Sequence, residues 1–178
     1  MAETEILEFG IKRENEERRD GGFAVVLNPK TQKYAAYRNL KNGVLGLYGG
    51  GFDEGEDERT GVLRELVEES GLTDFLHVEK IEKVLTHYYN SNKEVNRVAL
   101  ASCFLVILKS GKLQPTSLEE HERFELIWVS PEQMLLEWNS RNQNKSYDHW
   151  IYLLKKTVKR AKELGYDTVT VLENIEKQ

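Results

Sequence analysis

Three glutamates, Glu65, Glu68 and Glu69, are spaced three and four residues apart, so a helix would place them on one face. Carboxylates so close together repel one another unless a positive charge lies between them. A hard divalent cation with oxygen ligands, Mg²⁺ or Mn²⁺, supplies that charge, and it also binds phosphate oxygens and activates water. A solvated acidic face is the alternative for such a cluster taken alone.

The surrounding residues extend this cluster into a longer pattern. Residues 50–72 match G-x5-E-x7-R-E-U-x-E-E-x-G-U, where U is aliphatic. The defining residues are Gly50, Glu56, Arg64, Glu65, Leu66, Glu68, Glu69, Gly71 and Leu72. Ordinary residue frequencies make a chance match on the order of one in a hundred million. The segment resembles a Nudix box, the signature of hydrolases that cut a phosphoanhydride in a nucleoside diphosphate linked to another moiety.

The resemblance implies a fold, a metal and roles for several residues. The fold would be the α/β Nudix fold, with a mixed β-sheet sandwiched between α-helices. The carbonyl oxygen of Gly49 would bind Mg²⁺ or Mn²⁺ together with Glu65, Glu68 and Glu69. Arg64 would pair with the loop glutamate and orient the metal ligands.

Other interpretations and departures from the family pattern accompany these roles. Arg64 also has the spacing of an ordinary i, i+4 partner of Glu68, and both interactions are compatible. Many relatives have proline where Tyr48 stands and glutamate where Asp53 stands. These two positions lie outside the defining set, so they bear on the subfamily rather than on the family.

A further carboxylate is expected near the metal. Nudix proteins often carry a glutamate about six residues before a tryptophan at the end of an acidic segment, and Glu122 stands six residues before Trp128. The resemblance makes Glu122 a candidate metal ligand or general base that takes the proton from the attacking water. A solvated acidic loop is the alternative, because Glu119, Glu120 and Glu125 are close by.

Substrate recognition requires cations for phosphate and aromatic rings for a base. Arg38 ends a predicted strand and is the cation that the family layout places near the box. The other basic candidates are Arg18, Arg19, Lys41, Lys93 and Arg97. The aromatic candidates are Tyr37, Tyr48, Tyr88, Tyr89 and Phe124, with core packing as the alternative for each. Tyr88 and Tyr89 are adjacent in a strand and face opposite sides, so at most one is expected in the pocket.

Composition limits the class of protein. The net charge is −5, and the box alone carries eight acidic and two basic residues, so the remainder has a charge of +1. This balance does not favour duplex nucleic acid as a partner. The chain shows neither a secretory signal nor an apolar run of membrane-spanning length. The single Cys103 fits a reducing cytoplasm and a buried structural role.

The chain pattern predicts one domain over residues 1–178. Residues 1–20 would form an N-terminal arm or edge strand, and residues 147–165 a C-terminal helix. Predicted strands cover residues 22–27, 33–38, 78–89, 96–108 and 124–129. The box helix is expected over residues 57–70, ending at Gly71, and a short helix over residues 132–138 after Ser130 and Pro131. The four histidines have no metal-binding spacing.

The predicted activity is metal-dependent hydrolysis of a small nucleotide. As the substrate, the residues slightly favour a nucleoside triphosphate or a dinucleoside polyphosphate. ADP-ribose or another nucleotide sugar is the alternative substrate. A nucleotide-binding regulatory module without catalysis is the alternative from another class, although such modules usually lose box glutamates. Dimers are common among Nudix relatives, so the charged N-terminal arm is a candidate dimer contact.

Overall fold

The computed structural model describes residues 4–178 and contains strands on a central sheet with helices packed against both faces. The strands are β1 (Glu8–Gly10), β2 (Glu17–Arg18), β3 (Gly21–Asn28), β4 (Lys33–Asn39), β5 (Leu45–Gly46), β6 (Tyr48–Gly51), β7 (Phe75–Asn90), β8 (Val95–Leu108) and β9 (Phe124–Val129). The helices are α1 (Glu58–Ser70), α2 (Pro131–Ser140), α3 (Asp148–Glu163) and α4 (Leu172–Glu176), with a 3₁₀ turn at Gln143–Lys145.

Strand β3 lies at the centre of the sheet and is buried along its whole length. It pairs in parallel with β8 and antiparallel with β4 and β6. Strands β6 and β4 use different parts of β3, residues 21–24 and 26–28 respectively, on the side opposite β8. The sheet therefore opens between β6 and β4.

Two separate apolar cores fill the space between the sheet and its helices. One lies under α1, where Val62 and Leu66 pack with Val26 and Phe104. The other lies under α2 and α3 and includes Trp138, whose indole N–H donates to the carbonyl oxygen of Leu45 at 3.0 Å. This arrangement confirms the predicted α/β fold with a mixed sheet between helices.

Helix α1 begins and ends at residues suited to those positions. The Asp57 carboxylate accepts a hydrogen bond from the Thr60 N–H at 3.1 Å and caps the first turn. Gly71 ends the helix with φ of 79°, a left-handed conformation that glycine adopts at little cost. The helix therefore occupies nearly the same residues as the predicted one and presents a defined acidic face.

The N-terminal segment supplies two short strands, and the C-terminal segment supplies two helices. Strand β1 pairs in parallel with β7 and forms one edge of the sheet, whereas β2 pairs with β8. Helix α3 lies within the predicted range of residues 147–165, and α4 follows it as an additional short helix. Within residues 4–178, no helix combines the length and apolar character required to cross a bilayer.

Candidate active site

The acidic face of α1 points into a cavity, and its three glutamates differ in exposure. Glu69 is buried at 6% exposure, and the Glu65 side chain is 15% exposed. The Glu68 side chain is more open, at 43%. All three line the same cavity, so the helix brings together the carboxylates that the spacing placed on one face.

The glycine run of β6 packs directly against these carboxylates. The Gly49 N–H donates to Glu69 Oε2 at 3.3 Å. A Cβ atom at Gly50 would lie 2.6 Å from Glu65 Cδ, closer than nonbonded carbon atoms approach. A side chain at position 50 would displace the Glu65 carboxylate from its present position, so glycine there leaves room for this carboxylate beside β6.

Arg64 connects the loop before α1 with the acidic face. Its Nε and Nη2 atoms donate to the two oxygens of Glu56 at 2.7 and 3.0 Å, and its Nη1 donates to Glu65 at 2.9 Å. Glu68 lies 3.4 Å from Nη1 and Gly51 accepts from Nη2 at 3.3 Å. Arg64 thus makes both interactions considered from the sequence, and the two-point contact with Glu56 is the shorter.

The carboxylates around Arg64 have pKa values shifted in opposite directions, downward by hydrogen bonds to Arg64 and upward by burial. Hydrogen bonds from Arg64 lower the pKa of Glu56 to about 2, so Glu56 is ionised. Burial, aided by the negative charges of Glu122 and Glu65, raises the pKa of Glu69 to about 9. Burial also raises the pKa of Glu65. Within the protein alone, the buried Glu69 carboxylate therefore lacks enough nearby positive charge to stay ionised at neutral pH.

The cavity has a volume of about 840 Å³ and extends from the box to the first turn of α3. Among the residues predicted for the site, the structure places there Gly49, Arg64, Glu65, Glu68, Glu69, Tyr88, Glu122 and Phe124, and also the further candidates Arg19, Tyr37, Tyr89, Lys93 and Arg97. The expectation that at most one of Tyr88 and Tyr89 would reach the pocket is wrong, because the cavity touches both residues near the end of β7. Phe124 stacks on Tyr37 with ring centroids 4.0 Å apart and planes 13° apart. The cavity thus combines an acidic wall with aromatic surface.

Glu122 faces the acidic wall from the segment before β9. Its carboxylate accepts from the Glu119 N–H at 3.0 Å and contributes to the raised pKa of Glu69. Possible ligand atoms of Glu119, His121 and Glu122 all lie within 4.8 Å of one another. Sequence spacing did not predict that His121 would join this group.

Two predicted substrate-binding residues lie elsewhere. Tyr48 is 1% exposed and packs edge-on against Tyr37 in the core under α1, so it offers no ring face to a substrate. Arg38 donates to the carbonyl oxygen of Gly43 at 3.0 Å and does not line the cavity. Residues alternate between the faces of β4, so Arg38 faces away from the side where Tyr37 meets the cavity. These two predictions are corrected.

Several cavity residues were not singled out by the sequence patterns. Phe23 contacts His149 and Trp150 edge-on, with ring centroids 6.1 Å apart in each pair. Burial lowers the pKa of His149 to about 4, so this imidazole is neutral at pH 7. The rings come from β3 and α3, which are distant in sequence, so no local spacing marks them. Residue parity along β7 and β8 could have grouped Tyr88 with Arg97, which face each other across these strands.

Comparisons with known proteins identify the family and the fold. The family model described as NUDIX domain matches residues 17–151. Comparison with curated proteins finds no match. A MutT protein from Methanosarcina mazei is a structural neighbour at a TM-score of 0.56 and 21% identity, with 83% of this chain and 98% of that chain covered.

Two further solved structures share the fold. The Nudix domain of NrtR from Shewanella oneidensis, in complex with ADP-ribose, aligns at a TM-score of 0.56 and 19% identity, covering 82% of this chain and 89% of that chain. A Nudix hydrolase from Nitrosomonas europaea aligns at a TM-score of 0.51 and 19% identity, covering 69% and 79%. By the family match over most of its length, the chain belongs to the Nudix family of pyrophosphohydrolases.

Proposed function

We propose that this protein hydrolyses a phosphoanhydride bond in a nucleoside diphosphate linked to another moiety, with a divalent metal ion. The observation that carries the proposal is the buried carboxylate of Glu69 beside the half-buried carboxylate of Glu65, which share with Glu122 a cavity large enough for a nucleotide. Such a group is unfavourable unless a proton or a cation neutralises it. A phosphate-bound cation fits both the acidic wall and the cavity.

The donor set fits Mg²⁺ or Mn²⁺, which prefer oxygen ligands. Glu65, Glu68, Glu69 and the Gly49 carbonyl would hold the ion. When bound, it supplies positive charge to phosphate oxygens and lowers the pKa of a coordinated water. Arg64 keeps Glu56 and Glu65 in fixed orientations through its hydrogen bonds, so it acts as a positioning residue.

The protein's own groups supply the proton transfer. Glu122 lines the cavity opposite Glu69, and we assign it the role of general base that accepts a proton from the attacking water. Glu69 is the alternative base. Water adds to one phosphorus, the bond from that phosphorus to the bridging oxygen breaks, and the leaving phosphate keeps the bridging oxygen. The products are two phosphorylated fragments.

The substrate would be a nucleoside triphosphate or a dinucleoside polyphosphate. The rings of Tyr37 and Phe124 next to Glu122 suit a planar base, and the cavity continues beyond them to α3. ADP-ribose or another nucleotide sugar is the second candidate, favoured by the extended cavity and by the ADP-ribose complex of the NrtR domain. A silent binding module fits less well, because every box glutamate is present. We place the protein in the cytoplasm because its one cysteine is buried and unpaired.

A panel of nucleoside diphosphate derivatives tests this function. The purified protein is incubated with each compound and Mg²⁺ or Mn²⁺, and phosphate release is measured with and without added phosphatase. Products identified by chromatography give the bond that is cut. We expect metal-dependent hydrolysis that EDTA abolishes. Tight binding of a nucleotide without hydrolysis of any compound would instead support the silent module.

A further inference from the structure

Arg97 lies in a wall of the cavity on β8, in a part that the box does not reach. Its side chain is 15% exposed, and its Nε has no hydrogen-bond partner among residues 4–178. The nearest carboxylate oxygen, on Glu17, is 3.7 Å from Nη2, longer than a hydrogen bond. That carboxylate is 61% exposed and well solvated. Arg97 is therefore an enclosed cation whose donors are largely unused.

The neighbours of Arg97 form a polar surface rather than an apolar one. Tyr88 is its direct partner across β7 and β8, and Thr86 lies two residues before Tyr88 on the same face. The Thr86 hydroxyl is buried and has no hydrogen-bond partner among the described residues. Burial raises the pKa of Tyr88, whereas the positive charges of Arg97 and Arg19 oppose that rise. These groups all line the cavity.

A stretch of small residues on three neighbouring strands separates this surface from the box. Gly51, Gly21 and Ala101 lie side by side on β6, β3 and β8. Ala99 and Arg97 follow on the same face of β8, so the cavity floor there carries only small side chains before Arg97. Arg97 is four residues from Ala101 along β8, so the two residues are about 13 Å apart. The side chain of Arg19 lies beside Gly51, between the box and this surface.

Unpaired donors in an enclosed guanidinium are costly, and a planar fork of N–H groups matches the oxygens of phosphate. We propose that Arg97, with Tyr88 and Thr86, binds a phosphate group of the substrate that is separate from the two phosphates opposite the box. This inference rests on the proposed function and narrows it. The preferred substrate would carry an additional phosphate on its linked moiety or along a longer phosphate chain.

Matched substrates and variants test the assignment. One pair is a dinucleotide joined by a diphosphate, with and without a phosphate on one ribose. A second pair is a dinucleoside tetraphosphate and the corresponding dinucleoside diphosphate. We expect Arg97→Gln to lower kcat/KM about tenfold or more for the member with the extra phosphate, and less than about twofold for the other member. The pair that responds identifies the source of the phosphate.

Arg59→Gln is the matched control, since Arg59 is an exposed arginine on α1 outside the cavity lining. Arg59→Gln should leave unchanged the ratio of kcat/KM between the two members of each substrate pair. Arg97→Lys keeps the positive charge but loses the planar fork of N–H donors, so its kcat/KM ratio should lie between those of the unaltered protein and Arg97→Gln. This variant also keeps the proposal testable if Arg97→Gln does not fold. Equal losses on both members of each pair, for both Arg97 variants, would overturn the proposal.

A binding measurement separates this proposal from the proposed hydrolysis. Calorimetry on the Glu69→Gln protein gives Kd for the same two pairs in the presence of Mg²⁺. We expect tighter binding of the member with the extra phosphate, about tenfold, and loss of this preference in the Glu69→Gln/Arg97→Gln protein. A preference that persists in the double variant contradicts the role of Arg97. Absence of turnover by the unaltered protein, with the preference intact, would contradict the proposed hydrolysis alone.

Discussion

At the scale of single residues, the site depends on how Arg64 balances the acids around it. Its contacts with Glu56 and Glu65 require a planar fork of donors, which lysine lacks. Arg64→Lys should therefore keep the fold and lower kcat/KM by about 10–100-fold, the usual cost of losing a group that orients metal ligands. Steady-state hydrolysis of the best substrate measures the effect.

Arg59→Lys provides the control for that change, because Arg59 is exposed on the same helix. It should retain the kinetics of the unaltered protein. An Arg64→Lys protein with an unchanged kcat/KM would show that Arg64 is only a surface partner of Glu68.

The residue scale is also where sequence patterns were most and least informative. Fixed spacing within one helix placed Glu65, Glu68 and Glu69 together, because a helix converts sequence distance directly into spatial distance. Tyr48 has a residue type equally suited to stacking on a base, yet it lies in the core. Whether a strand residue is buried depends on the face of the sheet to which its side chain points. His149 and Phe23 meet through tertiary packing alone. Local spacing carries no signal for such contacts.

At the scale of elements, α3 contributes a neutral histidine to the cavity. In the unfolded chain His149 takes up a proton below about pH 6.5, whereas burial delays that uptake to about pH 4 in the folded protein. Its position in the first turn of α3, at the positive end of the helix dipole, also disfavours the charged form. The folded state therefore loses stability from this group as the pH falls from 6.5 towards 4.

His149→Gln removes this titration. Thermal unfolding at pH 7.5 and at pH 4.5 should show a smaller decrease in Tm for His149→Gln than for the unaltered protein, although carboxylates contribute to both decreases. Equal decreases in the two proteins would mean that the imidazole is already accessible to protons in the fold. His77→Gln, a change at a partly exposed histidine outside the cavity, is the comparison.

Element boundaries followed the sequence where local chemistry specifies them. Ser130, Pro131 and Gln133 begin α2 with a reciprocal capping arrangement, and Gly71 ends α1. An edge strand was expected within residues 1–20, but the bounds of β1 and its parallel pairing with β7 were not predicted, because that partner is far away in the chain. The short α4 was not predicted either. Non-local pairing leaves little trace in the local sequence of a short element.

At the scale of the whole molecule, the C-terminal segment is anchored to the sheet through a buried hydrogen bond. The Tyr34 hydroxyl on β4 donates to Asp167 Oδ2 at 2.7 Å, and both side chains are buried. Tyr34→Phe leaves Asp167 with one donor fewer and should cost about 1–3 kcal/mol of unfolding free energy. That cost corresponds to a decrease in Tm of roughly 2–10 °C.

Differential scanning calorimetry tests this anchor, with Tyr89→Phe as the control because Tyr89 is 51% exposed. Activity at 25 °C should be unchanged in Tyr34→Phe, since Tyr34 does not line the cavity. A Tm equal to that of the unaltered protein would mean that the C-terminal segment is held by its apolar contacts alone.

Glu69→Gln tests directly whether the acidic face of α1 binds the metal for catalysis, through the rate of Mg²⁺-dependent hydrolysis. Glutamine resembles the neutral carboxyl in shape, so the buried site should remain folded, but it carries no charge for a cation. We expect kcat/KM to fall by at least about a hundredfold, while Glu54→Gln, at an exposed glutamate in the same box, has no effect. Full activity of a folded Glu69→Gln protein would contradict a metal-dependent reaction at the acidic face of α1.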